Sequence, residues 1–372
     1  MNNINNINNV DNSGSNGFSN VLRKVTEKGV KLMTAASRTV ARNFPGIPPM
    51  CTPLMRVARP LVETLAQPVD TNTFPELPST PINNLFETWS PERVEFFQTH
   101  CTKRLEECMD NDVVSLEDEE RVFVARSERG PDITVEQARN FGFILPELPE
   151  ETSELAERNP NLKIKPLMIR CFGVGSGSTG AQIQEGIKNI LSLPTDRLEL
   201  ANTHVLSYIE SEQQRFKSDP NVLVVPFITG FSLGGMFASA IAVKNNFSSI
   251  VVNGLGLGKN GCEFVGKENW KRAQQQSDCH AAMFVDHDFV ASPDASWRGI
   301  TRTPGCIFCI PWHGTGTSDR TAHRRRHGVT SIPRGNPTNP TFAEMREIHC
   351  DHGRCFDEAY QEYIATRDRL VA

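Results

Sequence analysis

The stretch from Asn221 to Val243, NVLVVPFITGFSLGGMFASAIAV, decides the fold of this 372-residue chain. Its first part is an apolar, Val-rich run of strand length, and its last part is a run of small residues suited to a tightly packed helix. Between them, Gly230-Phe231-Ser232-Leu233-Gly234 matches G-x-S-x-G. In that context the motif predicts a sharp strand-to-helix turn. Such a turn holds Ser232 in a strained backbone conformation, with its hydroxyl pushed out at the sheet edge and a helix N-terminus beneath it. Gly230 and Gly234, followed by Gly235, leave room for that close approach. The bare pattern also fits a glycine-serine turn in another kind of α/β protein, so the neighbouring elements matter.

Upstream, Leu167 to Phe172 reads as a strand that ends in the glycine-rich Gly173 to Gly180. A helix is expected from there to about Leu191, and another over Thr203 to Phe216. Downstream, Ser249 to Asn253 and Ala281 to Val285 read as the next two strands. Strands alternating with helices imply an α/β fold, a mostly parallel sheet with helices on both faces. This domain is expected to span 161–372.

The N-terminal part is organised differently. Residues 1–20 are rich in Asn, Ser and Gly, offer little to bury, and read as disordered. Residues 21–44 read as a basic amphipathic helix: Leu22, Val25, Leu32, Met33, Ala36 and Val40 recur at helical spacing, while Arg23, Lys24, Lys28, Lys31, Arg38 and Arg42 supply charge. Such a helix suits an anionic membrane or a partner groove, or it docks on its own protein. Proline recurs through 45–84, which reads as an extended linker. Residues 85–160 read as a small, mainly helical region, in which Ser90-Pro91 forms an N-cap with proline at the first helical position.

Composition excludes several classes. A net charge of −5 argues against a generally basic nucleic-acid binder, and no nucleic-acid partner is expected. No apolar stretch is long enough to span a bilayer, and the start lacks the charged and apolar regions of a Sec signal peptide. Ten cysteines spread between Cys51 and Cys355 suit reduced thiols better than a disulfide framework. A cytoplasmic location, or export by a non-Sec route, follows. The Asn-rich start and basic helix would suit a secreted effector.

The chemistry expected of Ser232 needs an acid and a histidine in chain order. The strand Ala281 to Val285 runs into Asp286-His287-Asp288-Phe289-Val290, which puts a carboxylate at the C-terminal edge of the sheet. Late in the chain, Ile348-His349-Cys350-Asp351-His352-Gly353 precedes a helix from Phe356 to about Leu370. Two rival constellations compete. Gly175-Ser176-Gly177-Ser178-Thr179-Gly180 matches the dinucleotide fingerprint G-x-G-x-x-G, but no second strand follows its helix. Cys306-Ile307-Phe308-Cys309, with His349, Cys350, His352 and Cys355, has spacings that a structural zinc would accept. The plainer alternative places Cys306 and Cys309 on an apolar strand. No cofactor and no metal are assigned.

Over about Leu167 to Tyr360 the chain resembles lipase-like α/β-hydrolases, particularly the class 3 lipases. Their serine motif is similar to Thr229-Gly230-Phe231-Ser232-Leu233-Gly234-Gly235, and their next strand and loop to Val251-Val252-Asn253-Gly254-Leu255-Gly256. Their acid lies in a context like Asp288-Phe289-Val290, their histidine just before a final helix, like His352, and His204 to Tyr208 resembles the start of the helix feeding the serine strand. In place of the family's R-G-T-type turn this chain has Gly173-Val174-Gly175-Ser176.

The resemblance implies a Ser-His-Asp triad of Ser232, His352 and Asp288, with oxyanion donors on Leu233 and Gly175. Asp286 competes with Asp288, His349 competes with His352, and His313 is a more distant choice. The implied reaction is hydrolysis of a carboxylic ester, with a lipid acyl ester as the leading substrate. Peripheral membrane contact would run through 21–44 and the basic loop 320–327. The opposing reading is a non-catalytic hydrolase-like module that binds a partner or an anionic membrane.

Overall fold

The computed structural model describes residues 67–102, 113–115, 122–146, 162–174, 179–193, 195–219, 221–286, 288, 290–291, 300–312 and 348–371. The expectations for 1–20, 21–44, 320–327, Gly175 and His313 lie outside these residues.

The strand before the serine motif is long: β6 runs Val222–Phe231 and pairs in parallel with β5 (Lys163–Cys171) on one side and β7 (Ser248–Val252) on the other. β8 (His280–Val285) and β9 (Cys306–Ile310) continue the parallel sheet beyond β7. β1 (Ser79–Pro81) adds to β9, also in parallel. On the far side of β5 the sense reverses, with β3 (Val124–Arg129), β2 (Val113–Ser115) and β4 (Ile133–Thr134) antiparallel. The described residues therefore build one nine-stranded sheet, mostly parallel and ordered β1-β9-β8-β7-β6-β5-β3-β2, with β4 against β5. This is an α/β fold, as the alternation of elements implied.

Helices cover both faces. On one lie α1 (Ile82–Thr88), α2 (Pro91–His100) and the first turns of α9 (His352–Val371). Their side chains pack on Met168, Phe227, Ile250, Met283 and Phe308 of the strands. α9 buries His352, Cys355, Phe356 and Ala359, an i, i+3, i+4, i+7 stripe. The Phe356 ring lies edge-on to Phe97 at 5.0 Å and to Phe86 at 5.4 Å, so this stripe docks the C-terminal helix on α1 and α2. The other face is held by α6 (Leu233–Asn245), buried from Leu233 through Val243. Its run of small residues lets the helix axis lie close to the sheet. α3 (Val135–Asn140), α4 (Thr179–Ile190), α5 (Arg197–Phe216), α7 (Lys259–Val265) and α8 (Lys267–Gln275) are the other α-helices of the described residues.

Two expectations about domains are corrected. From residue 67 onward the stretch read as a linker is packed: Val69 and Phe74 are buried, and Phe74 lies edge-on to Trp270 at 5.6 Å. The Trp270 indole N–H donates to the Pro75 carbonyl at 2.8 Å, and β1 then joins the sheet. Proline can do this because β1 is an edge strand, where a missing N–H leaves no ladder partner unpaired. Region 85–160 is not a separate helical unit either. Residues Arg56–Ala372 form one compact unit, to which this region contributes strands β2, β3 and β4 as well as core residues.

Ser90 caps α2 as expected, its hydroxyl accepting from the Arg93 N–H at 3.2 Å. Among the described residues no strand lies between α4 and α5, which removes the second strand that a dinucleotide site requires. The i, i+3 spacing on β9 sends Cys306 toward the α1–α2 face and Cys309 toward the opposite one, so the pair does not share a ligand site. Among the described residues no three His, Cys, Asp or Glu side chains are grouped to hold a metal, and no helix is long and apolar enough to cross a membrane.

Truncating the side chain that docks α9 should be costly. Phe356→Ala is expected to lower the unfolding free energy by about 3–5 kcal/mol, read from urea melts.

Candidate active site

Ser232 lies between β6 and α6 with φ 55° and ψ −128°, a left-handed conformation that a residue with a Cβ adopts only under constraint. Main-chain bonds supply the constraint. The Ser232 N–H reaches the Val252 carbonyl at 3.4 Å, and the Ser232 carbonyl accepts from Gly235 at 3.0 Å and Leu255 at 2.9 Å. The close approach expected of Gly234 is present: a Cβ there would fall on the main-chain carbonyls of Cys171 and Phe172. Gly173 abuts the serine itself, since a Cβ on it would stand 2.7 Å from the Ser232 Cβ and 3.3 Å from its Oγ. Leu233 opens α6, so its N–H is one of the first-turn amides that lack an intrahelical acceptor. Gly173 thus flanks the Ser232 hydroxyl, while Gly175 lies outside the described residues.

Of the two candidate carboxylates, Asp288 is the one paired with an imidazole. Its carboxylate is buried: Oδ1 accepts from the Val290 and Ala291 N–H groups, each at 2.7 Å, and Oδ2 meets His349 Nδ1 at 2.6 Å. Asp286 instead continues the β8–β9 ladder, its N–H donating to the Ile310 carbonyl at 2.7 Å.

The histidine is corrected. Asp288 bonds His349, not His352. His352 sits one helical turn further on as the first residue of α9, with its Nε2 against the Thr102 carbonyl at 3.3 Å. That contact ties the start of α9 to the residues just after α2. Both imidazoles lean on the Phe231 ring, at 4.7 Å for His349 and 4.9 Å for His352. Phe231 immediately precedes Ser232, so this stack brings the His349–Asp288 pair to the same sheet edge as the serine. With the His349 Nδ1–H donating to Asp288, the basic nitrogen of the neutral ring is Nε2.

Two participants carried no readable signal as site residues. Asn253, expected only as a strand end, is fully buried and donates from Nδ2 to the His349 carbonyl at 2.8 Å. Phe231, the unspecified second position of the serine motif, is the surface on which both histidines rest. An Asn directly after a buried strand was the one available hint for the first.

The two deeply buried histidines share an acid sensitivity. Burial first, and then the neighbouring His349, pushes the His352 imidazole down from 6.5 to about 4. Burial and then Arg272 does the same to His280, whose Nδ1 pairs with Ser249 Oγ at 3.0 Å. The unfolded chain takes up these protons near pH 6.5 and the folded one holds them off until about 4, so stability falls as pH drops through that window. His352→Gln should flatten part of this fall in urea midpoints measured between these pH values. At the turn, Ser232→Gly should relieve the left-handed strain and raise the unfolding free energy by roughly 1 kcal/mol, read in the same melts.

No protein-family model matches this chain, and no curated protein matches it.

Proposed function

We propose that the protein is a serine hydrolase of α/β-hydrolase type that cleaves a carboxylic ester through Ser232, His349 and Asp288. The observation that carries this reading is the pairing of a left-handed serine between strand and helix with a buried carboxylate–imidazole pair at the same sheet edge. Strain of this kind is uncommon in a residue with a Cβ and clusters where a fold exposes a reactive group.

In the reaction, Ser232 Oγ attacks the acyl carbon while its proton passes to His349 Nε2. Asp288 holds the imidazole by its Nδ1–H and stabilises the imidazolium that forms. The carbonyl oxygen becomes an oxyanion beside the Leu233 N–H, with Gly173 flanking it. Donors of this kind are worth on the order of 3–4 kcal/mol each in other enzymes. The imidazolium then returns its proton to the leaving alcohol, and water repeats the sequence in reverse to free Ser232. His352 shares the Phe231 ring with His349 but is bonded to the Thr102 carbonyl rather than to Asp288. Burial holds it neutral, so it adds no second positive charge beside the imidazolium.

The acyl ester of a lipid is the favoured substrate class. Val174, next to the glycine that abuts Ser232, exposes an apolar side chain. Membrane approach through 21–44 and 320–327 belongs to the same reading and lies outside the described residues.

A fluorophosphonate probe on the full chain, with the adduct mapped by mass spectrometry, tests the assignment. Ser232 should carry the label, Ser232→Ala should abolish it, and His349→Ala should slow it by on the order of 10³-fold or more. His352→Ala should cost far less. Labelling lost in His352→Ala but retained in His349→Ala would reverse the choice of base. A folded protein that takes no label would favour the non-catalytic binding module.

A further inference from the structure

Asn253 is the residue on which the three parts of the site converge. It follows β7 directly, with φ 44°, in the left-handed region that Asn and Asp tolerate better than other residues with a Cβ. Its peptide N–H donates to the Met283 carbonyl of β8 at 2.8 Å, so the turn is tied to the neighbouring strand. Its side chain is wholly buried, and both ends of the amide are used. Oδ1 accepts from the Val285 N–H at 2.8 Å, and Nδ2 donates to the His349 carbonyl at 2.8 Å.

Each contact leads to a different part of the site. Val285 ends β8, and its carbonyl receives the Asp288 N–H at 3.0 Å, closing the turn that presents the acid. The His349 carbonyl belongs to the peptide that carries the imidazole. On the serine side, the residue before Asn253 accepts from the Ser232 N–H, and Leu255, two residues after it, donates to the Ser232 carbonyl. One side-chain amide thus spans the acid's turn and the base's main chain from a backbone already bonded to the serine.

We propose that Asn253 is the positioning residue of this site, setting the His349 main chain against the Asp288 turn and so the length and direction of the imidazole–carboxylate bond. The inference rests on the hydrolase reading above. The chemistry also explains why Asn is required. The place needs one donor and one acceptor a fixed distance apart on a residue that accepts positive φ. Asp would keep the φ and the acceptor but turn an oxygen toward the His349 carbonyl. Gln carries an extra methylene, and Gly would keep only the backbone turn.

Two variants separate the amide from the backbone: Asn253→Gly, which removes both side-chain bonds and relaxes the turn, and Asn253→Asp, which keeps the acceptor but replaces the donor with an oxygen that repels the His349 carbonyl. Asn245→Ala is the control, because Asn245 Nδ2 also donates within the fold, to Asn202 Oδ1 and the Ile241 carbonyl, but away from the site. Three readouts are compared on the full chain: the urea midpoint, the rate of fluorophosphonate labelling with kcat and KM on a p-nitrophenyl acyl ester, and the far-downfield proton resonance of His349 Nδ1–H.

Both Asn253 variants should slow labelling and kcat, by an amount on the order of a hundredfold for Asn253→Gly, with KM within about twofold. The Nδ1–H resonance should shift or vanish. Asn245→Ala should lower the urea midpoint and leave labelling and the resonance unchanged. Folded Asn253→Gly or Asn253→Asp with wild-type labelling and an unmoved resonance would overturn the proposal, since a purely structural Asn gives that result. If Asn253→Gly does not fold, Asn253→Asp alone decides. A resonance that depends on Asn253 in a wild-type protein that takes no label would uphold the positioning role and sink the hydrolase reading.

Discussion

The closeness of α6 to the sheet is the constraint on which the other features depend. At Gly234 the helix comes within contact of the Cys171 and Phe172 carbonyls, and at Gly235 a Cβ would meet the Gly254 Cα at 2.6 Å. No residue with a side chain fits at either place, so the chain must turn from strand to helix within one residue. That residue is Ser232, and its left-handed backbone is what so tight a turn demands. The same closeness draws the ends of β5, β6 and β7 together, which places Gly173 against the serine and Asn253 one strand away. Strain at one residue is therefore set by packing across several, and relaxing it would mean separating a helix buried along most of its length.

A second dependence runs through buried polar groups. Asp288, His349 and Asn253 are nearly or fully sheltered from water, and they are hydrogen-bonded to one another or to main chain. A buried carboxylate with no such partners would be strongly disfavoured. Here two peptide N–H groups and an imidazole replace its hydration, and the amide beside it has both ends satisfied. The cluster can hold one geometry well because breaking any bond leaves an exposed need in a dry place.

The sheet's central strands were legible because they are apolar runs that end in glycine or in a polar turn, and β5 through β8 fall close to where the pattern put them. The serine turn was legible for the same reason that it is strained: only glycines permit it. β1 was not, because three prolines between Pro75 and Pro81 read as linker, and an edge position that forgives proline is a property of the assembled sheet. Nor was β3, because most of it, Arg126 to Arg129, is polar and finds its place through pairing with β5. The choice between His349 and His352 was beyond the sequence. Both lie just before or at the start of one helix, three residues apart, and what separates them is Asp288 on one side and the Thr102 carbonyl on the other, 61 and 250 residues away.

The edge formed by β1 has a consequence for the backbone groups of the strand behind it. Behind it lies β9, Cys-Ile-Phe-Cys-Ile, five uncharged residues of high strand propensity with no proline. Left uncovered, such a segment offers a row of unpaired amides and carbonyls to any other extended chain, which is the starting point of sheet-by-sheet aggregation. β1 occupies that row for three residues and ends in Pro81, which has no N–H to offer a further strand. The proline-rich segment before α1 thus closes the sheet on this side with a strand whose last residue cannot donate to another chain.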